Sequence, residues 1–588
     1  MKQALRQRPW WRLFGLLRRE LTPYVARRLL EVIVLVMVGA AANALAPLIL
    51  KLIVDRVTGQ GGMARSGVIL IGIYAFMQWL SRSSTEIRAL RYSRAEQRIV
   101  RTLSTRLFAH VLCLPLRVHL RRQSGALSQI IDNSLQGVRL ILHQVVFVVL
   151  PVGAELAVAA WVLLRLGRPL FLGLFCIAAI SYVWLFGRSA PRIAGAARAA
   201  AAAGVEVNAI ITDGLFNYEA VKCFGAERLV AAKAAAAFGR GEQAWLAFYR
   251  QYGGNGLAVA VVFALVLGAS LLCALHSVRA GQLTVGGLVL VNAYMVQLVR
   301  PAEMLGFAVQ GFAQGSAMLE GAMELLAEPT EVLAGVPLRA GRAGVLEFER
   351  VTFSYEPGHA VLQEMSFSLS PGATVGIVGQ SGSGKSSIVR LLLRLVEPDG
   401  GVIRLDGVPL QQIASDALRA AIAVVPQDPV LFDDTIAYNI LVASPRASRE
   451  DIARAARLAL LEEFICSLPQ GYDTVVGERG VRLSGGERQR IAIARAALRL
   501  PRIYVFDEAT AALDSCTEQM ILSNLRTLSA TAMTLIIAHR LSSVKQAECI
   551  LVLHCGRVVE SGSHEQLLRA QGHYAALWSA QFAGATAA

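Results

Sequence analysis

The chain has 588 residues, 55% of them hydrophobic and 17% charged, with a formal net charge of +16. A water-soluble chain carries nearer ~25% charged residues, so this balance excludes an ordinary soluble globular protein. The basic excess, at a pI of about 9.8, gathers beside apolar runs; that suits an anionic membrane surface, and no nucleic-acid partner is expected.

In chain order, residues 1–28 come first, with eight Lys and Arg from Lys2 to Arg28 interleaved with Trp10, Trp11, Phe14 and Leu16. With no long apolar core and no cleavage site, this reads as an interfacial helix, not as a signal peptide. A transmembrane domain is expected over 29–326, with apolar runs near 29–54, 67–87, 140–164, 169–187, 256–276 and 283–305. Each approaches the ~20 residues that a helix needs to cross a bilayer. The run at 67–87 is the weakest, because Gln78, Trp79 and Ser81 sit near its end, whereas Leu257–Leu272 carries no charge at all. Lys and Arg number eight in 1–28, nine in 88–122 and eight in 188–250, while the short loops between hold one or two each. The heavy segments therefore face the cytoplasm, giving six spans with both termini inside. Residues 327–345 read as a linker.

From 346 to 588 the pattern changes to an α/β domain. Ala373–Val378 reads as a buried strand and Ser387–Leu393 as a helix, and between them lies Gly379-Gln380-Ser381-Gly382-Ser383-Gly384-Lys385-Ser386. This fits the G-x-x-x-x-G-K-[ST] phosphate loop, whose glycines let backbone N–H groups converge on phosphates. Lys385 supplies a charge to the β- and γ-phosphates, and the Ser386 hydroxyl is placed to hold Mg²⁺. The helix starting near Ser387 adds its dipole to anion binding. A phosphate loop alone defines only an NTPase. About a hundred residues later come Leu-Ser484-Gly485-Gly486-Glu-Arg-Gln489 and then Ile503-Tyr-Val-Phe-Asp507-Glu508.

This ordered set resembles the nucleotide-binding domain of ATP-binding-cassette (ABC) proteins. The resemblance implies ATP and Mg²⁺ as cofactors and assigns roles by position. Tyr355 sits where an aromatic stacks on adenine, Gln427 in the Q-loop, Asp514 in the D-loop and His539 at the switch histidine. Asp507 would hold the Mg²⁺ shell, with Ser386 and Gln427; Glu508 would polarise the attacking water as general base. Ser484 and Gly486 are offered, in this family, to the γ-phosphate of ATP on another subunit, so a dimer is implied. Ala511 replaces the usual D-loop serine. Glu508 and the signature are intact, which favours a homodimer over a heterodimer.

The whole chain resembles the exporter half-transporters: an α-helical transmembrane bundle of six long helices, forming a domain-swapped dimer, fused to an α/β P-loop nucleotide-binding domain. In them short coupling helices interrupt the cytoplasmic loops, expected here near Leu127–Ser134 and Ile211–Phe216. Three segments, Asn217–Phe224, Val118–Leu127 and Leu290–Leu298, resemble the mitochondrial iron–sulfur-export and heavy-metal-tolerance branch and its bacterial relatives. Pro151 and Glu155 fit it too. That branch implies a glutathione-derived or metal–thiol cargo moved by alternating access, with a drug, lipid or peptide cargo on the same scaffold as the alternative. The branch's Asn-x-x-Gln pair is replaced by Gln251 and Gly254, which weakens the match at the cargo site. Glu155, Gln251, Asn292 and Gln297 are the candidate cargo contacts. The eight cysteines form no CxxC pair, so no metal site within the chain is expected. The expected setting is a bacterial inner membrane, with membrane lipid, a small-molecule cargo and a second identical half-transporter as partners.

Overall fold

The structure, a computed structural model, describes residues 22–58, 65–122, 124–165, 169–297, 299–331, 335–338, 344–356, 358–477, 480–509, 515–529, 532–538 and 540–583. Most of the expected N-terminal interfacial helix, residues 1–21, lies outside them. The chain forms two compact units, Met1–Leu114 with Arg122–Pro329 and Pro115–Arg121 with Thr330–Ala588.

The first unit is built from long helices: α1 (Pro23–Thr58), α2 (Arg65–Leu112), α4 (Ser124–Gln144), α5 (Leu150–Arg165), α6 (Pro169–Phe216), α8 (Glu227–Arg279), α9 (Val285–Gln297) and α10 (Val299–Ala327). Two six-residue helices interrupt the series along the chain, α3 (Leu116–Arg121), which belongs to the second unit, and α7 (Tyr218–Cys223). These are the short helices of the loops, and they fall elsewhere than expected. Leu127–Ser134 lies inside the unbroken α4, and Ile211–Phe216 is the last turn and a half of α6. The breaks come where the backbone cannot continue. Pro115 disfavours helical geometry at Leu114, and Gly225, at a φ of +58°, takes the left-handed conformation just past α7.

Among the described residues, four segments are long and apolar enough to cross a membrane: Pro23–Thr58, Leu127–Arg165, Pro169–Phe216 and Glu227–Arg279. Four of the six expected spans fall on them. The run at 67–87 lies on α2, and that at 283–305 is divided between α9 and α10, so six crossings do not follow from helix length and composition alone. The lipid-facing character is plain on α8, where only 17% of the most apolar stretch is buried. Leu257, Leu265 and Leu272 are each about 70% exposed there. Apolar surface left in water costs roughly 25 cal/mol per Å², so hydrocarbon is the solvent that this face requires.

Between α4 and α5 the helix widens into a π turn, Val145–Val149, in which the Leu150 N–H reaches back to the Val145 carbonyl. Pro151 explains it: proline has no N–H to give Phe147, and its ring crowds that carbonyl. Close packing joins α1 to α9. The Asp55 carboxylate accepts the Gly286 N–H at 2.9 Å, and the Tyr294 hydroxyl donates to the Ala44 carbonyl at 2.7 Å. A Cβ at Gly286 would strike Asp55 and the Lys51 carbonyl, so only glycine allows this approach.

The second unit carries two sheets. A six-stranded sheet has the order β10 (Arg557–Gly562), β9 (Cys549–His554), β3 (Thr374–Gly379), β8 (Met533–Ile537), β7 (Ile503–Asp507), β6 (Ile422–Val425). From β9 to β6 its neighbours are parallel. Strands buried on both faces should read as unbroken apolar runs, and Ile503–Phe506 and Val375–Val378 do. An antiparallel sheet, β2 (Ala360–Leu369), β1 (Leu346–Ser354), β4 (Gly400–Leu405), β5 (Val408–Pro409), packs beside it. Ile377, Ile388, Leu346 and Val505, all wholly buried, belong to the shared core. Part of the expected linker is fastened to this unit. Val336 pairs with Ile413, and Arg419 donates to Glu331 at 2.7 Å.

Candidate functional site

In a parallel sheet every carboxyl end lies on one edge, and ligands bind in the crevice there. On this edge β3 runs into the phosphate loop and β7 ends at Asp507, with Asp507 in register with Ile537 of the neighbouring β8 and, one strand further, with Ile377 of β3. Gln427, two residues past β6, is exposed on the same side. His539 and Asp514, as well as Ala511, lie outside the described residues.

The phosphate loop is shaped by two glycines. Gly384 has a φ of +100°, and a Cβ on it would stand 2.8 Å from both the Val361 carbonyl and Leu362. A Cβ on Gly379 would collide with the Leu553 carbonyl. The loop is thus pressed against β2 and β9, and α11 (Lys385–Leu392) starts directly from it. Lys385 is buried and donates to the carbonyls of Gly379 and Gln380, both at 2.8 Å. Ser386 is exposed at the mouth, whereas Ser383 and Ser387 are buried. Among the described residues the Ser383 hydroxyl has no hydrogen-bond partner. A buried orphan hydroxyl inside a ring of backbone amides is what a phosphate oxygen would satisfy.

Electrostatics tie the loop to the end of β7. Burial pushes the Lys385 ammonium down, and the charges of Glu508 and Asp507 oppose that shift. Asp507 is pushed up by burial and then by Glu508, and is drawn back by Lys385 and Arg390. The crevice therefore gathers a buried cation and two carboxylates whose charges depend on each other, a pattern typical of functional sites.

Glu508 has a left-handed backbone, at a φ of +48°. For a residue with a Cβ this is strain of order 1 kcal/mol, held only where the surroundings fix it. Here the Glu508 N–H donates to the Ile537 carbonyl at 2.9 Å, and the Glu508 carbonyl accepts from the Gln489 side chain at 3.3 Å. Gln489 is the last residue of the signature run and is fully buried, so one end of α16 (Gly485–Arg499) supports the turn that presents Glu508. At the start of the same end, one turn before Gln489, Ser484 caps α16 in a reciprocal box with Glu487, leaving Gly485 and Gly486 in the first turn. Ser484 is exposed.

Sequence reasoning missed three supports besides Gln489. Asn439, wholly buried, accepts from the Phe432 N–H at 2.9 Å and donates to the Phe432 and Thr435 carbonyls at 3.0 Å each. Arg495 on α16 donates to the Asn439 carbonyl at 2.6 Å and to its side-chain oxygen at 2.7 Å. Arg390 donates to the Tyr355 hydroxyl at 2.8 Å. The signal was faint: a polar side chain amid apolar helical positions.

In the helical unit, Asn43 donates to Glu155 at 3.1 Å, and Gln297 donates to the Asn43 carbonyl at 3.4 Å. Glu155 and Gln297, candidates from the sequence, thus meet through Asn43. Gln251 is exposed on α8 and Asn292 half-buried on α9, outside that chain of bonds. Among the described residues, no group of three or more His, Cys, Asp or Glu could hold a metal ion.

A phosphate loop on a parallel sheet, joined in one chain to helices that require lipid, defines a membrane-bound, nucleotide-driven machine. Residues 29–302 match the ABC transporter transmembrane region and 362–511 the ABC transporter domain. The ATM1-type heavy metal exporter of Novosphingobium aromaticivorans is 37% identical, over 95% of this chain and 92% of that one. The mitochondrial iron-sulfur clusters transporter atm1 of Neurospora crassa is 34% identical, over 94% and 80%. A solved structure of a bacterial Atm1-family ABC exporter with ATP bound superposes with a TM-score of 0.87 at 36% identity, covering 95% of this chain and 98% of that one. The chain therefore belongs to the Atm1-type branch of the ABC exporters, as a multi-pass membrane protein that hydrolyses ATP to drive transport.

Proposed function

We propose that two copies of this chain form a homodimeric exporter in a bacterial inner membrane, moving a glutathione-derived or metal–thiol cargo out of the cytoplasm. The reading is carried by the gathered set Lys385, Asp507 and Glu508 at one sheet edge, in a chain that matches a bacterial heavy metal exporter along nearly its whole length. A drug, lipid or peptide cargo is not favoured by any relative named above.

In this proposal Tyr355 stacks on adenine, the amides of residues 379–387 cradle the phosphates, and Lys385 neutralises the β/γ oxygens. Ser386, Gln427 and Asp507 would hold Mg²⁺; they are hard oxygen donors at one edge, which suits that ion. When bound, the ion would neutralise charge that develops on the phosphates. Glu508 polarises the attacking water and His539 contacts the γ-phosphate. Ser484, Gly485 and Gly486 serve the partner's ATP, with Asp514 at the seam. Six spans are proposed, with domain limits at 29–326 and 346–588, the intervening 327–345 as connector and 1–28 as an interfacial helix. Closure of the nucleotide domains would pass through α3 and α7 to the bundle and turn its cavity outward.

The test is ATPase activity of the purified protein in lipid nanodiscs, with and without oxidised glutathione and its metal conjugates. Saturable stimulation is expected; basal turnover with no response would remove the thiol cargo from the proposal.

A further inference from the structure

The helix that follows the phosphate loop is engaged on a second side. Tyr355 follows β1 and is 42% exposed, yet its hydroxyl is doubly held. It lies 3.1 Å from the Ser387 hydroxyl and accepts from the Arg390 guanidinium at 2.8 Å. The Arg390 guanidinium also stands 5.6 Å from the Tyr355 ring centre. Phe353, buried in β1, meets the ring edge-on with centroids 4.8 Å apart. Ser387 is itself buried and cannot follow the tyrosine outward.

An exposed aromatic with nothing on its hydroxyl samples several rotamers, and a ligand that stacks on it must restrict them at a cost in binding. Tyr355 is restricted beforehand: Phe353 sets the plane of the ring, and Ser387 and Arg390 hold its far end. We propose that Arg390 and Ser387 are positioning residues for nucleotide-base recognition, tethering Tyr355 as a ready-made platform for a purine. This rests on the reading of Tyr355 as the stacking residue. The tether makes the base platform and the phosphate cradle one rigid piece, because Ser387 and Arg390 lie in the first and second turns of the same α11 that Lys385 and Ser386 begin.

The experiment uses the full chain in nanodiscs and compares ATP with inorganic tripolyphosphate, which has the phosphates and no base. Tyr355→Phe keeps the ring and removes the tether; Arg390→Met removes it from the other side. Each should raise KM for ATP roughly three- to tenfold, the worth of one net hydrogen bond, and leave inhibition by tripolyphosphate where it was. The double variant should be no worse than either single one, since both break the same tether. An unchanged KM in Tyr355→Phe would overturn the proposal. So would a parallel loss of tripolyphosphate inhibition, which would make Arg390 a support of the phosphate loop alone. Tyr355→Leu separates the two layers. A raised KM there with none in Tyr355→Phe leaves the platform and removes the tether; no effect in either removes both.

Discussion

The nucleotide unit and the helical unit place their polar groups by opposite rules. In the nucleotide unit the chemistry sits at one sheet edge, in runs of consecutive residues such as Gly379–Ser387 and Asp507–Glu508. Hydrogen-bonded supports surround it, from Gln489, Asn439 and Arg495. In the apolar part of the helical unit the bonds that join one helix to another link single residues far apart in sequence: Asn43 bonds Glu155 across 112 residues, and Tyr294 bonds Ala44 across 250. Backbone amides can converge on a phosphate only when neighbouring residues fold around it, so such a site must be written as a motif. A polar group facing lipid must find its partner on another helix, so its site is assembled from single residues. Chemistry is therefore concentrated in one unit and dispersed in the other, and single substitutions should behave accordingly.

The largest effect is expected where the concentration is greatest. Glu508→Gln should lower phosphate release by about 10²–10⁴-fold, the usual worth of a general base, while ATP stays bound. Unaltered turnover would move the base elsewhere. Next is the sharing of sites between copies. Lys385→Ala and Ser484→Ala should each silence the protein alone. Co-assembled, they should recover about a quarter of wild-type turnover, because half of randomly formed dimers hold one intact head-to-tail site. No recovery would contradict the shared geometry.

The supports come third. Asn439→Ala leaves the Phe432 N–H without its acceptor and takes one of the acceptors of Arg495, which keeps the backbone carbonyls of residues 439 and 430, and should cost about 2–3 kcal/mol, read as a lower denaturation midpoint. A change of a few tenths would mean that the network is solvated. The smallest effect belongs to the dispersed unit. Tyr294→Phe removes one interhelical bond and should cost only about 0.6 kcal/mol, a shift of a degree or so in Tm. A loss as large as that at Asn439 would break the contrast between the units.

The same contrast explains what could be read beforehand. The phosphate loop, the signature and the β7 end were legible residue by residue, because each requires fixed residue types at fixed spacing. Four of the apolar runs were legible for the same reason that lipid accepts them. The short loop helices were misplaced because Ala- and Leu-rich sequence is helical on either side of a break. Pro115 and Gly225 were the signals that mark the true ends. The π turn is legible only with Pro151 in view. Arg390 and Gln489 escaped notice because their bonds reach Tyr355 and Glu508 across gaps in sequence that no pattern spans. The pairing of Asn43 with Glu155 was invisible for the reason given above for lipid.

The most direct test is transport. Inside-out proteoliposomes would be loaded with the protein and given labelled oxidised glutathione, with and without ATP, beside the Glu508→Gln variant. The account predicts ATP-dependent accumulation that saturates with cargo and disappears in Glu508→Gln. Hydrolysis of ATP with no accumulation, or equal accumulation in the variant, would contradict it.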